Sequence, residues 1–385
     1  MIFTTAVIAD IHFGAVRPDQ LYNELRNEFL DFIENRYIDM IVIAGDFFNS
    51  ILSLNSQSAL RAFAFMKELM YICEKNDIKY VRIIEGTLSH DNYQILNFRM
   101  YESNPKVNFK IITTVTEETL DNGIKILHIP EEYMENPLEY YRPFIDKEAK
   151  YYDFIFGHGM FKETSFVKED GENNISKAPI WDSKYLIGLS KGPIFFGHIH
   201  TSQIIRKHIY YAGSFSRWVY GQEEKKGFYL IAYDTDTSRY LTQFIENKLA
   251  KSYDTIKVHL VEFIEKNHNL DHFIEMCKEL KKDNLRIQIL IESSEKDFSY
   301  ELGFLKEYYM GKPGYKLDVI DKREKLQQER VEEKVNRLMN DYSFLFQKDI
   351  PIETKIHKFI KRKYSKDVSE DKIRDLLNLN IEKND

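Results

Sequence analysis

Met40-Ile41-Val42-Ile43-Ala44-Gly45-Asp46 decides the fold: five apolar residues, then a glycine and a carboxylate. A short apolar run rich in β-branched residues and closed by glycine predicts a buried strand. The carboxylate at its end is costly to bury unless it is paired or bound to a cation. The same construction recurs on both sides. Val7–Ala9 leads into Asp10-Ile11-His12, and Tyr80–Ile84 into Gly86-Thr87-Leu88-Ser89-His90-Asp91. Phe154–Phe156 leads into Gly157-His158-Gly159, and Ile194–Phe196 into Gly197-His198-Ile199-His200. A sixth run, Ile124–Ile129, has no such motif after it.

Helical patterns separate the first three runs. Leu21, Leu25, Phe29, Phe32 and Ile33 fall at helical spacing, as do Leu60, Phe63, Met66, Leu69 and Met70. Strand–helix–strand alternation predicts an α/β fold with a largely parallel start to its sheet. Such sheets expose the carboxyl ends of their strands as one crevice, so the motifs are expected to converge there. After His200 the runs shorten to Ile204–Tyr211 and Gly227–Tyr233, which predicts a second, more antiparallel sheet ending near Leu249. Thr255–Val261, a helix around Leu270–Leu280 and Leu285–Ile291 read as a small βαβ-type domain. From Asp321 the chain reads as helical and polar. Ile352, Ile356, Phe359 and Ile360 form one narrow apolar stripe, and Ile373, Leu376 and Leu377 another.

At 385 residues the chain is too long for one ordinary core, which predicts a large domain of residues 1–250 with smaller units at 251–320 and 321–385. Charged residues at 30% indicate solubility, and no run is long enough to cross a membrane. The apolar start lacks a basic leader and a cleavage site, and runs straight into Asp10, so it reads as a first strand rather than a signal peptide. Cys73 and Cys277 are far apart, which excludes a disulfide framework; both are expected to be buried, in a reducing cytoplasm. The net charge of −7 argues against a nucleic-acid partner, but it is uneven. From Asp321 onward 16 Lys/Arg face 14 Asp/Glu, and two bound divalent cations would reverse the local field at the motifs.

Alternation along the strand would put Asp10 and His12 on one side, within reach of one cation; otherwise they are a surface pair. Asp46 is the candidate bridge between two cations, or else a helix N-cap. His198 and His200, two apart after a glycine and an apolar run, fit neutral imidazole ligands. His158, between two glycines, repeats the theme. His128, His208, His259, His268, His272 and His357 lack such context and read as structural or exposed.

Together and in this order, the motifs resemble the calcineurin-like metallophosphoesterases, whose pattern is DxH, GDxxD, GNH(D/E), GH and GHxH. Within that superfamily the chain is similar to the SbcD-type nuclease subunits of double-strand-break processing. Tyr211-Ala212-Gly213-Ser214 and Lys226-Gly227-Phe228 resemble the turn and strand that follow the last motif in those subunits. The resemblance implies a four-layer β-sandwich flanked by helices, with a small α+β capping domain that contacts DNA and a helical tail. It implies two divalent metal ions, Mn²⁺ in this family. Asp10, His12 and His200 would hold the first, His158 and His198 the second, with Asp46 bridging. His90 would act on the leaving oxygen, with Asp91 orienting its ring. The partners implied are DNA, an SbcC-like ABC ATPase bound through the C-terminal helices, and a second copy of the chain, all in a bacterial or phage-infected cytoplasm.

Two positions depart from the family. Its Asn ligand before the catalytic His is missing, and the loop is two residues longer, so Ser89 precedes His90. Ser89, Thr87 or a water would take the ligand position. Asn49 stands where the family's second motif often has Asp. Around the site, Arg217 and Trp218 read as a phosphate contact and a base-stacking ring, or else as an exposed Arg beside a core Trp. Lys225-Lys226 reads as a solvated rim. A metal core of this kind also fits a phosphomonoesterase, a cyclic phosphodiesterase or a non-catalytic scaffold that binds DNA ends.

Overall fold

The buried runs become the central strands of two sheets. In chain order the strands are β1 (Ile2–Ile8), β2 (Met40–Ala44), β3 (Tyr80–Ile84), β4 (Asn108–Ile112), β5 (Thr116–Thr119), β6 (Lys125–Ile129), β7 (Phe154–His158), β8 (Met160–Phe161) and β9 (Ile180–Trp181). They continue as β10 (Ile194–Gly197), β11 (Gln203–Ile205), β12 (Ile209–Tyr211), β13 (Gly227–Asp234), β14 (Arg239–Glu246), β15 (Tyr253–His259), β16 (Asn284–Ile291) and β17 (Tyr315–Asp321). This computed structural model describes residues 1–134, 136–164, 180–266, 269–291, 297–322, 336–337 and 339–381. His268 and residues 323–335 of the predicted tail lie outside the described residues.

The first sheet has the order β14-β13-β1-β2-β3-β4 and the second β11-β12-β10-β7-β6-β5. Each has four adjacent parallel strands; in the first the antiparallel β13 and β14 lie along one side and the parallel β4 forms the other edge, and in the second both edge strands are antiparallel. The chain is therefore mixed α/β. The strands between His200 and Leu249 do not build a sheet of their own, as their shorter spacing predicted. Instead β12 extends the second sheet, and β13 returns antiparallel beside β1. A strand that ends near another's edge is captured by that edge wherever it lies in the sequence.

Strand alternation divides the core into three layers. On β1 and β2, Val7, Val42 and Ala44 pack with Ile126, Phe154, Phe156 and Phe195, between the sheets. Ala6, Ile8, Ile41 and Ile43 face Leu21, Leu25, Phe29, Phe65 and Leu69 from the helical segments 18–34 and 57–75. On the far side Leu127, Ile129, Ile155 and Ile194 pack against Tyr141, Ile145, Leu186 and Leu189. The helix Gln57–Lys75 buries Ala59, Ala62, Phe65, Met66, Leu69 and Met70. Leu60, predicted on that face, is exposed, and Ala59 and Ala62 are buried instead. Cys73 and Cys277 are both buried, as expected. Among the described residues no helix is long and apolar enough to cross a membrane.

Two compact units divide the chain. One comprises Met1–Thr255, Cys277–Arg286 and Pro313–Tyr315; the other comprises Ile256–Met276, Ile287–Lys312 and Lys316–Asp385. The residues read as a capping domain and as a tail thus fall mostly in one unit. A third sheet has the order β15-β16-β17, and the helices Leu270–Leu280 and Ser299–Tyr309 alternate with its strands along the chain. The helices Ile352–Tyr364 and Glu370–Ile381 pack on each other.

Candidate metal centre

Six strand ends supply the site: those of β1, β2 and β3 in the first sheet and β6, β7 and β10 in the second. β1 stops at Ile8, and Asp10 and His12 follow with φ of 48° and 54°. Their convergence therefore comes from a left-handed turn and not from strand alternation. Asp46 (φ 50°) and His198 (φ 99°) share that strained backbone, which persists only where neighbouring bonds over-determine it. Those bonds are present: Asp10 N donates to Gly45 O (3.1 Å) and His12 N to Asp46 O (3.0 Å). The His198 amide donates to Asp10 Oδ1 at 2.9 Å. Gly45 is required twice over. Its φ is +83°, and a Cβ there would lie 2.1 Å from His158 Nδ1.

Two ligand clusters result, Asp10-His12-Asp46-His200 and Glu131-His158-His198, each with its ligand atoms within 4.8 Å of one another. Asp46 lies between them. Its Oδ2 is 3.6 Å from His12 Nε2 and its Oδ1 is 3.3 Å from His158 Nε2. His12 Nε2 and His200 Nε2 face each other at 3.0 Å. His158 Nδ1 donates to the Ala44 carbonyl at 2.9 Å, which directs Nε2 into the cluster.

The donor set fits divalent cations. Asp10 Oδ2 is buried with no hydrogen-bond partner, a costly state that a bound cation would relieve. The electrostatics agree. Burial pushes Asp10 up to about 6. Burial lowers His12 well below its ordinary value and brings His200 to about 4, so both are neutral ligands at pH 7. Burial would raise Asp46, but His158 and His12 outweigh it and hold the carboxylate well below its usual range. Burial likewise opposes the charged form of His158, yet Asp46, Asp10 and Glu131 hold it well above its ordinary value.

Of the predicted residues, Asp10, His12, Asp46, His158, His198 and His200 all converge. His90 lies beside them, its ring 4.9 Å from that of His12. Ser89 is exposed and belongs to neither cluster. Thr87, not Ser89, is the residue of that loop that reaches the clusters. The Thr87 amide donates to Asp46 Oδ1 at 2.7 Å, and Oγ1 is 3.3 Å from His198 Nδ1.

Asp91 does not orient His90. Its carboxylate accepts from the amides of Phe48 and Gly86, both at 2.8 Å, and so ties the second motif's loop to the third. His90 Nδ1 instead faces the Asn49 carbonyl. Arg217 is not free for a phosphate either. Its guanidinium donates to the carbonyls of Glu224 and Ala250. Trp218 packs on the imidazoles, 4.7 Å from His12 and 5.0 Å from His200. Lys226 is buried rather than on a solvated rim. Its Nζ donates to the His200 carbonyl (2.9 Å) and Ser214 Oγ (2.8 Å), and pairs with Glu224.

Glu131 escaped the sequence reading. It stands two residues past β6, the one run judged to lack a motif, and is 6% exposed. The available signal was Ile129-Pro130-Glu131, a carboxylate after an apolar run. Compared with protein-family models and with curated proteins, the chain matches none.

Proposed function

We propose that the chain is a two-metal phosphoester hydrolase of the calcineurin-like type, acting on the DNA backbone as an SbcD-type nuclease subunit. One observation carries the reading: two ligand clusters flank a shared Asp46 carboxylate, with a further imidazole, His90, beside them. The two packed sheets with helices outside fit the sandwich of that family.

Bound there, two divalent cations, Mn²⁺ in this reading, would supply Lewis-acid polarisation of a phosphoryl oxygen and acidification of water. Asp10, His12 and His200 would hold one and His158 and His198 the other, with Asp46 between them. The chain's own residues do the rest. His90 donates from Nδ1 to the Asn49 carbonyl, which turns Nε2 toward the site; there its imidazolium form would give a proton to the leaving oxygen. Trp218 shields His12 and His200 from solvent, and Lys226 holds the backbone of His200 in place.

The metal core does not select DNA among phosphoesters. The Tyr211–Ser214 turn and the Lys226–Phe228 strand that resemble SbcD-type subunits support that choice. For an ATPase partner, the support is the helix Ile352–Tyr364, none of whose residues is fully buried despite its apolar stripe. Homodimerisation rests on the resemblance.

The test is cleavage of linear duplex and single-stranded DNA by the full chain with Mn²⁺, beside a small phosphodiester, using wild type, His90→Ala and His200→Ala. Wild type degrading DNA, with both variants impaired, supports the reading. DNA binding without cleavage under any divalent cation makes it a scaffold. Turnover of the small ester alone makes it a general phosphodiesterase.

A further inference from the structure

We infer that the Glu131 carboxylate, and not a neutral oxygen from the loop after β3, completes the ligand set of the second cation, with Thr87 holding it in place. This rests on the two-cation reading above.

Glu131 Oε2 lies 3.0 Å from His198 Nδ1 and 3.6 Å from His158 Nε2. No Lys or Arg pairs with it among the described residues. A buried carboxylate with no Lys or Arg partner, aimed at two imidazoles that themselves converge on one point, has the geometry of a metal ligand. Its other contacts are those of a positioned ligand. The Tyr133 hydroxyl donates to Oε1 at 3.0 Å, and the Thr87 hydroxyl donates to Oε2 at 3.0 Å. Each oxygen is thereby fixed by a hydroxyl, as outer-shell donors fix the carboxylates of metal sites. The Glu131 amide also reaches the Glu85 carbonyl at 3.4 Å, which ties the end of β6 to the end of β3.

Thr87 Oγ1 is the competing ligand, because it too approaches His158 and His198, at 3.4 and 3.3 Å. Charge decides between them. Thr87 has one hydroxyl proton, and donating it to Glu131 strengthens the carboxylate without forming a new anion. The carboxylate brings a full negative charge and suits hard cations such as Mn²⁺. With Asp10 and Asp46 it places three carboxylates around two dications. The second site therefore retains its cation although the neutral amide ligand expected there is absent.

The experiment is calorimetric titration of the metal-stripped full chain with Mn²⁺, using wild type, Glu131→Gln, Thr87→Val and His158→Ala. Wild type is expected to show two binding events. Glu131→Gln and His158→Ala should each lose the same one, while Thr87→Val should keep it, weakened about tenfold. Two undiminished events in Glu131→Gln overturn the inference alone, as does loss of an event in Thr87→Val but not in Glu131→Gln. Fewer than two events in wild type overturn the two-cation reading itself. Anomalous diffraction from wild-type crystals with Mn²⁺ decides the matter without a variant. A Mn²⁺ peak coordinated by Thr87 and not by Glu131 refutes the assignment, even if Glu131→Gln fails to fold.

Discussion

His90 Nδ1 lies 2.6 Å from the backbone carbonyl of Asn49, and this contact sets the tautomer of the imidazole. A carbonyl only accepts, so Nδ1 carries a proton and Nε2 faces the site. His90→Ala is expected to lower phosphodiester hydrolysis by about 10²–10⁴-fold while both Mn²⁺ binding events persist in calorimetry. Asp91→Ala leaves the amides of Phe48 and Gly86 unpaired. It should cost about 1–3 kcal/mol in denaturant unfolding, and any loss of rate should follow that loss of fold. A variant of Asp91 that shifts the pH profile of hydrolysis without losing stability would show that it does act through His90.

Arg217 and Trp218 are adjacent in sequence but opposite in role. A phosphate contact contributes about 0.9 to the slope of log affinity against log salt for duplex DNA. Arg217→Ala is expected to leave that slope unchanged and to lower the melting temperature, because two carbonyls lose their donors. Trp218→Ala should weaken binding at the Asp10-His12-His200 cluster, read as a rise in the Kd of one Mn²⁺ event.

Lys226 is buried, and burial lowers its pKa against the opposing pull of Glu224. Lys226→Met removes the donor to the His200 carbonyl and leaves Glu224 without its partner. Loss of about tenfold in cation affinity at the first cluster is expected, the size typical of an outer-shell contact. An unchanged Kd would reduce Lys226 to a packing residue.

The raised pKa of His158 gives cation binding a defined pH dependence. Metal-free, His158 carries its proton at neutral pH, and the imidazolium between Asp46, Asp10 and Glu131 stabilises the fold. That stability is fully present below the unfolded value of 6.5 and is lost as pH rises through the folded pKa. A cation must displace this proton. Mn²⁺ affinity should therefore rise with pH, with protons released in titrations run in buffers of different ionisation enthalpy. Binding without proton release would contradict the assignment of His158 as a ligand.

Glu85 predicts a second pH effect. Burial raises its carboxyl to about 7, and its Oε2 is buried without a partner. A raised folded pKa means stability present below the unfolded value of 4.5 and lost as pH rises toward 7. The metal-free wild type should lose at most about 3 kcal/mol over that window relative to Glu85→Gln. Parallel stability curves for the two proteins would refute this.

The amino-acid sequence by itself determined the strand ends, six of the seven residues in the ligand clusters, and His90 beside them. Those signals are local: an apolar run, a glycine, then a donor that would be costly to bury alone. Tertiary structure alone decided three things. It brought Glu131 in, because Ile129-Pro130-Glu131 reads as an ordinary strand end until β6 pairs in parallel with β7. It brought Thr87 rather than the exposed Ser89 beside His158 and His198, because the backbone of the loop after β3 is pinned to Asp46 at Thr87. It turned Asp91, Arg217 and Lys226 from site groups and rim into clamps on backbone amides and carbonyls, bonds whose partners are set by which loops meet in space. A polar residue's type is written in the chain, but the lone pair or proton it faces is fixed only once distant strands have packed.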